Sequence, residues 1–143
     1  MTEPLSPGDS PGLLLWRATL RWQRAVTAEL RPLGLTHVQF VLLASTWWLT
    51  SVAGETPTQR RIAEHAATDP MMTSQVLRTL EGKGLVERTA DPADARARHV
   101  RATEEGARLA ARAVEAVEAA DAAFFTAAGD QQAVLAVLRS LAG

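Results

Sequence analysis

Apolar side chains recur at helical spacing along most of this chain, and the breaks in that pattern mark its turns. Trp22, Val26 and Leu30 form one stripe and Leu13, Trp16 and Leu20 another, which predicts a helix over residues 13–31 buried on more than one side. Pro32 and Gly34 end it. Thr36-His37-Val38-Gln39 has the form of a capping box, in which the Thr hydroxyl accepts the Gln39 backbone N–H and the Gln side chain reaches back. A strongly apolar helix follows to about Leu49, and Ser51–Glu55 reads as loop. Thr56-Pro57-Thr58-Gln59 repeats the capping-box form with Pro at the first helical position. It predicts a short helix, capped by Thr56, that carries Ile62, Ala63 and Ala66. Asp69-Pro70 then starts a helix to Lys83 whose inward stripe is Met72, Val76 and Leu80, with Met71 and Leu77 beside it; Gly84 ends it.

Beyond Gly84 the period changes. Leu85–Thr89 reads as a strand, Asp91–Ala97 as a turn and Arg98–Ala102 as the returning strand of a hairpin. Thr103 caps the next helix, with Glu104 and Glu105 at its positive end. That helix runs through Ala-rich sequence to about Phe125 or Ala128. Gly129-Asp130 separates it from a last helix, 131–141, with Val134, Leu138 and Leu141 on one face. Residues 1–12 contain Pro4, Pro7, Gly8, Pro11 and Gly12 and read as a flexible arm. The predicted fold class is mostly α with a small β-hairpin (α+β). Its central segment, 36–102, has the order helix, helix, helix, hairpin and is flanked by helices in 13–35 and 103–143.

Composition bounds what such a fold can do. The chain has 143 residues, 47% of them hydrophobic, enough for one domain with a real core. Arg17, Arg21 and Arg24 interrupt the most apolar N-terminal run, so no membrane span is expected. Residues 1–12 lack the apolar stretch of a signal peptide, which makes the cytoplasm the simplest location. Cysteine is absent, which removes disulfides, thiolate metal sites and thiol redox sensing. His37, His65 and His99 are widely spaced and match no metal-binding pattern, so neither a metal nor another cofactor is expected. No nucleophile–base pair or phosphate loop is evident, and an enzyme is not expected.

The net charge of −1 conceals an uneven distribution. Residues 56–102 carry eight basic and six acidic side chains, whereas residues 103–143 carry three and six. A basic centre suits a nucleic-acid reader, although chance produces differences of this size in ordinary domains. Residues 56–102 also have the element order of a winged helix-turn-helix. In that arrangement a supporting helix holds a second helix against the major groove. Thr73, Ser74, Gln75 and Arg78 are the polar positions of the second helix: Gln can pair with adenine, and Arg with guanine or a phosphate. The helix N-terminus at Asp69-Pro70 adds backbone donors for a phosphate. The plain alternative is a solvated helix face. In the hairpin, Asp94 and Arg96 lie at the tip and Arg98 and Arg101 on the return strand. An Arg on a narrow ribbon can enter a minor groove, with an Asp two residues before it orienting the guanidinium by a fork-like pair. The alternative is a solvated basic hairpin.

Taken in order and at these spacings, residues 35–110 resemble the MarR family of bacterial regulators. The resemblance rests on Leu35-Thr36 with Gln39-Phe40, on Gln59 with Ile62-Ala63, and on Asp69 through Lys83. It continues through Gly84-Leu85-Val86-Glu87-Arg88, Asp91-Pro92-Ala93-Asp94-Ala95-Arg96 and Thr103-Glu104-Glu105-Gly106. It implies a winged helix-turn-helix with N- and C-terminal dimerisation helices: a homodimer that binds double-stranded DNA at a palindromic operator, usually as a repressor. The DNA-contacting positions it implies are Met71, Thr73, Ser74, Gln75 and Arg78, with the Asp94/Arg96 pair and Arg98 in the wing. Gln75 stands where many relatives are basic, and Arg78 where many are acidic or polar, so the preferred site differs from the commonest ones. Leu, Val and Phe in the terminal helices also suit dimerisation on their own account, the alternative being an intramolecular bundle.

Family members often bind a small aromatic effector between the dimer helices and the DNA-binding lobe. The residues here that fit such a ligand are Trp16, Trp22, His37 and Trp47, with Trp48 beside them. All four Trp fall within residues 16–48. Core packing of Trp16, Trp22 and Trp47 where the first two helices meet is the favoured reading of them. An activator, a weakly specific DNA binder and a scaffold that has lost DNA binding are the competing functions.

Overall fold

The apolar stripes resolve into six α-helices and one antiparallel hairpin in a computed structural model, which describes residues 3–143. The helices are α1 (Pro11–Leu30), α2 (His37–Trp47), α3 (Gln59–Ala66), α4 (Pro70–Gly82), α5 (Glu104–Phe125) and α6 (Gln131–Ala142); the strands are β1 (Val86–Ala90) and β2 (Arg98–Ala102). A π-helical turn, Trp48–Val52, extends α2. The fold is mostly helical with a two-stranded wing, as the periodicity predicts.

Helix α1 begins inside the segment expected to be a flexible arm. Ser10 accepts a hydrogen bond from the Leu13 backbone N–H, Pro11 occupies the first turn, and a 3-10 turn precedes them at Pro7–Asp9. The start of that arm, Met1 and Thr2, lies outside the described residues. Only Val26 and Leu30 of α1 are buried. Its N-terminal half leaves Leu14, Leu15 and Trp16 exposed, so the expectation of burial on several sides fails there within a single chain.

The caps at Thr36, Asp69 and Thr103 form as the spacing predicts. The cap of α3 does not: it is Thr58, whose hydroxyl accepts from Arg61 N, and not Thr56. The reason lies 43 residues away in the wing. Val100 N donates to the Pro57 carbonyl at 2.9 Å, and Thr58 forms a bridge to His99. Thr56–Thr58 is thereby held extended against β2, and the helix can begin only after it.

Strands β1 and β2 pair from Val86 with Ala102 to Ala90 with Arg98. Val86 and Val100 turn inward to a core that also contains Leu42, Leu43, Leu49, Ile62, Leu77, Leu80, Ala110 and Ala113. Each fully buried Leu, Ile or Val contributes about 2 kcal/mol relative to exposure. Helix α5 meets the base of the wing at Gly106, where an added Cβ would sit 1.9 Å from the Leu85 carbonyl oxygen. The Thr103 hydroxyl donates to the Gly84 carbonyl at 2.7 Å beside this contact. Helix α6 buries no residue at all. Among the described residues no helix is long and apolar enough to cross a membrane.

Candidate nucleic-acid interface

Packing sets the rotational phase of α4, and it differs from the predicted stripe. Thr73, Leu77 and Leu80 face the core, while Met71 is 80% exposed and Met72 39% exposed. Thr73 is therefore not available to DNA. Its hydroxyl donates to the Asp69 carbonyl at 2.8 Å and lies 2.7 Å from the Thr68 hydroxyl, so the polar atom is satisfied and its methyl can pack inward. Polarity alone placed it on the wrong face. The outward face carries Met71, Gln75 and Arg78 at i, i+4 and i+7, with Ser74 half-buried at its margin. The Asp69 carboxylate takes the Met72 N–H at 2.9 Å, so it occupies the donor-rich helix end that was expected to face a phosphate.

The wing tip is shaped by two aspartates. Asp91 accepts from Ala93 N at 2.8 Å, and Asp94 from Arg96 N at 3.0 Å. Asp94 thus engages the Arg96 backbone, and the expected fork-like pair with the guanidinium is not formed. The tip is tied down by His99, whose Nδ1 lies 3.1 Å from the Thr56 carbonyl and whose Nε2 lies 3.2 Å from the Asp91 carboxylate. Between the tip and the start of α3 and α4 lies a cleft of about 590 Å³ lined by Arg60, Pro70, Asp94, Arg96 and Arg98, among others. Arg60 and Thr58 belong to this cleft although sequence spacing did not single them out. The available signal was the basic count of residues 56–102.

The pairing of the cations separates two groups. Arg88 donates to Glu81 and to Gln59, tying β1 to α4 and α3; Arg101 pairs with Glu87, Arg61 with Glu55 and Arg60 with Glu64. Lys83 donates to the Gly34 carbonyl and Gln39. Hydrogen bonds from Arg88 hold the Glu81 carboxyl below its usual range, and those from Arg61 do the same for Glu55. Arg78, Arg96 and Arg98 form no ion pair or side-chain hydrogen bond among the described residues.

Of the aromatic residues singled out, the structure brings Trp22 and His37 together, edge to face at 5.1 Å. Trp22 Nε1 donates to Asp121 of α5 at 2.7 Å. Burial lowers the His37 pKa, and the nearby Asp121 charge opposes that shift. Trp47 packs on the core, Trp16 is 63% exposed, and Trp48 stacks on His65 at 5.5 Å. These five residues do not form one cluster.

A supported helix with an exposed mixed face, a hairpin wing beside it and unpaired arginines at the hairpin tip define a winged helix-turn-helix of the DNA-binding type. Residues 35–97 match the model of the MarR family. The chain is 45% identical to the HTH-type transcriptional regulator YdcH of Bacillus subtilis, over 94% of this chain and 91% of that protein. It is 38% identical to the HTH-type transcriptional repressor Rv2887 of Mycobacterium tuberculosis, over 80% and 79%. Among solved structures, the transcriptional repressor CouR bound to a 23-mer DNA duplex superposes with a TM-score of 0.82 at 28% identity, covering 99% of this chain and all of that one. The chain belongs to the MarR family of transcriptional regulators.

Proposed function

We propose that this protein is a sequence-specific repressor that binds a palindromic operator as a homodimer. The observation that carries this reading is that Arg78, Arg96 and Arg98 form no ion pair or side-chain hydrogen bond among the described residues while neighbouring arginines are paired. Gln75 and Arg78 read base edges, with Met71 beside them and Ser74 at the margin. Arg96 and Arg98 meet the backbone and the minor groove. Asp94 contributes by setting the Arg96 backbone.

Dimerisation is supported by α6, which buries nothing and exposes Leu135, Val137, Leu138 and Leu141. Leu14, Leu15 and Trp16 of α1 are equally uncovered. Grouped exposed apolar side chains of this kind mark an interaction surface. The segments 13–35 and 103–143 supply it, and two copies related by a two-fold axis read two half-sites. Repressor function is supported by Rv2887 and CouR, both repressors, each with a structure bound to DNA.

A small aromatic effector relieves the repression. CouR of Rhodococcus jostii has been solved with p-coumaroyl-CoA, which supports an effector for this chain, and the Trp22–His37 contact between α1 and α2 is the pair of the aromatic set we assign to it. The deciding experiment is selection of bound duplexes from a random pool, with the oligomeric state measured by light scattering. A two-fold symmetric consensus and a dimer are expected. An asymmetric or absent consensus refutes the operator reading, and a monomer refutes the dimer.

A further inference from the structure

The outward face of α4 contains a side chain that the polar reading of that helix does not explain. Met71 is 80% exposed, the highest value among the exposed large hydrophobic residues described. Helix α4 packs against α2, α3 and β1, and its core face is the opposite one, Thr73, Leu77 and Leu80. A thioether held in water on a capped, well-packed helix gains free energy only when something covers it. Its place narrows what that is. Met71 follows Pro70, which lines the cleft shared with Arg96 and Arg98, and it shares its stripe with Gln75 and Arg78. The occupant of that surface is polyanionic and offers hydrogen-bonding edges. In duplex DNA the apolar groups exposed on base edges of the major groove are the 5-methyl groups of thymine.

We infer that Met71 is a specificity-determining residue that reads a thymine 5-methyl group in each half-site. Gln75, one turn further along the same stripe, pairs with adenine, so the two together select an A·T-containing step. Three rotatable bonds let a methionine adjust to a methyl on either strand. This inference rests on the DNA-reading assignment above, and its test separates the two.

Thymines of the consensus selected by the wild-type protein are replaced one at a time by deoxyuridine, which removes the methyl and leaves base pairing intact. Affinities are measured for wild type, Met71→Ala and Met71→Leu. One thymine per half-site is expected to lose about fourfold in affinity on replacement, the equivalent of one buried methylene. That loss disappears in Met71→Ala and persists in Met71→Leu. Because Met71 is exposed, both variants keep the wild-type melting temperature. Equal affinity for every deoxyuridine duplex, or an equal loss in wild type and Met71→Ala, overturns the methyl reading and leaves the DNA-reading assignment standing. A pool that yields no consensus overturns both.

Discussion

The arginines at the two ends of the hairpin have opposite surroundings. At the root, Arg88 donates to Glu81 and Gln59 and Arg101 to Glu87, and the Arg88 side chain is only 17% exposed. At the tip, Arg96 and Arg98 line a cleft whose aspartates, Asp91 and Asp94, are engaged by backbone N–H groups and His99, and neither arginine forms an ion pair among the described residues. Root and tip belong to one hairpin, yet Arg88 braces the wing against α3 and α4 and Arg101 ties its two strands, while the arginines at the tip are left unpaired. A cation with all its donors used internally gains little from a phosphate. A cation with none of them used gains both the ion pair and the released counterion. Counting basic residues merges these two populations, and the count of eight in residues 56–102 overstates the binding charge.

The comparison can be broken first at the root. Gly106→Ala forces a Cβ into the Leu85 carbonyl and unseats the base of the wing from α5. We expect a loss of about 3 kcal/mol and a Tm lower by roughly 10 °C, measured by thermal melting. Arg88→Ala removes the brace and leaves Glu81 without its partner. A loss of about 2 kcal/mol is expected. The same variant raises the Glu81 pKa toward its ordinary value. In wild type the depressed carboxyl contributes stability that is present above the usual 4.5 and lost as pH falls through the folded value. Urea titrations at pH 7 and pH 4 should therefore converge more closely for Arg88→Ala than for wild type.

At the tip the effect changes kind. Arg96→Ala should leave stability within about 0.5 kcal/mol of wild type. Operator affinity should fall about tenfold, and the salt slope should drop by about one per protomer. If Arg88→Ala and Arg96→Ala produced the same balance of lost stability and lost affinity, the distinction between root and tip would collapse. The smallest effect is predicted away from the wing. Burial lowers the His37 pKa below 6.5, so the neutral ring stabilises the fold above that pH and the contribution is lost as pH falls through the folded value. His37→Phe should flatten the dependence of Tm on pH below about 7, and Asp121→Asn, by removing the opposing charge, should steepen it.

Much of the fold was legible in the chain because its signals are local. The caps at Thr36, Asp69 and Thr103 join residues three positions apart, the αL glycine Gly84 ends α4 beside Lys83, and Asp91 and Asp94 accept backbone N–H groups two residues on. Spacing carries such information directly. The candidate site was legible in outline, from Gln75, Arg78, Arg96 and Arg98, but its partners were not. Thr73 is polar and looked exposed, and Met72 is apolar and looked buried. The phase of α4 was decided by Leu77 and Leu80 against α2 and α3.

What the sequence by itself determined, then, is the order of elements, most of their ends and the hairpin turn, since those depend on hydrogen bonds within a few residues. Tertiary structure alone decided which threonine caps α3, because a bond from Val100 holds Pro57 extended, and which face of α4 looks outward. It also decided which arginines are free. An i,i+4 pair such as Arg60–Glu64 can be read from spacing, but no rule of spacing encodes a partner such as Gln59, 29 residues from Arg88.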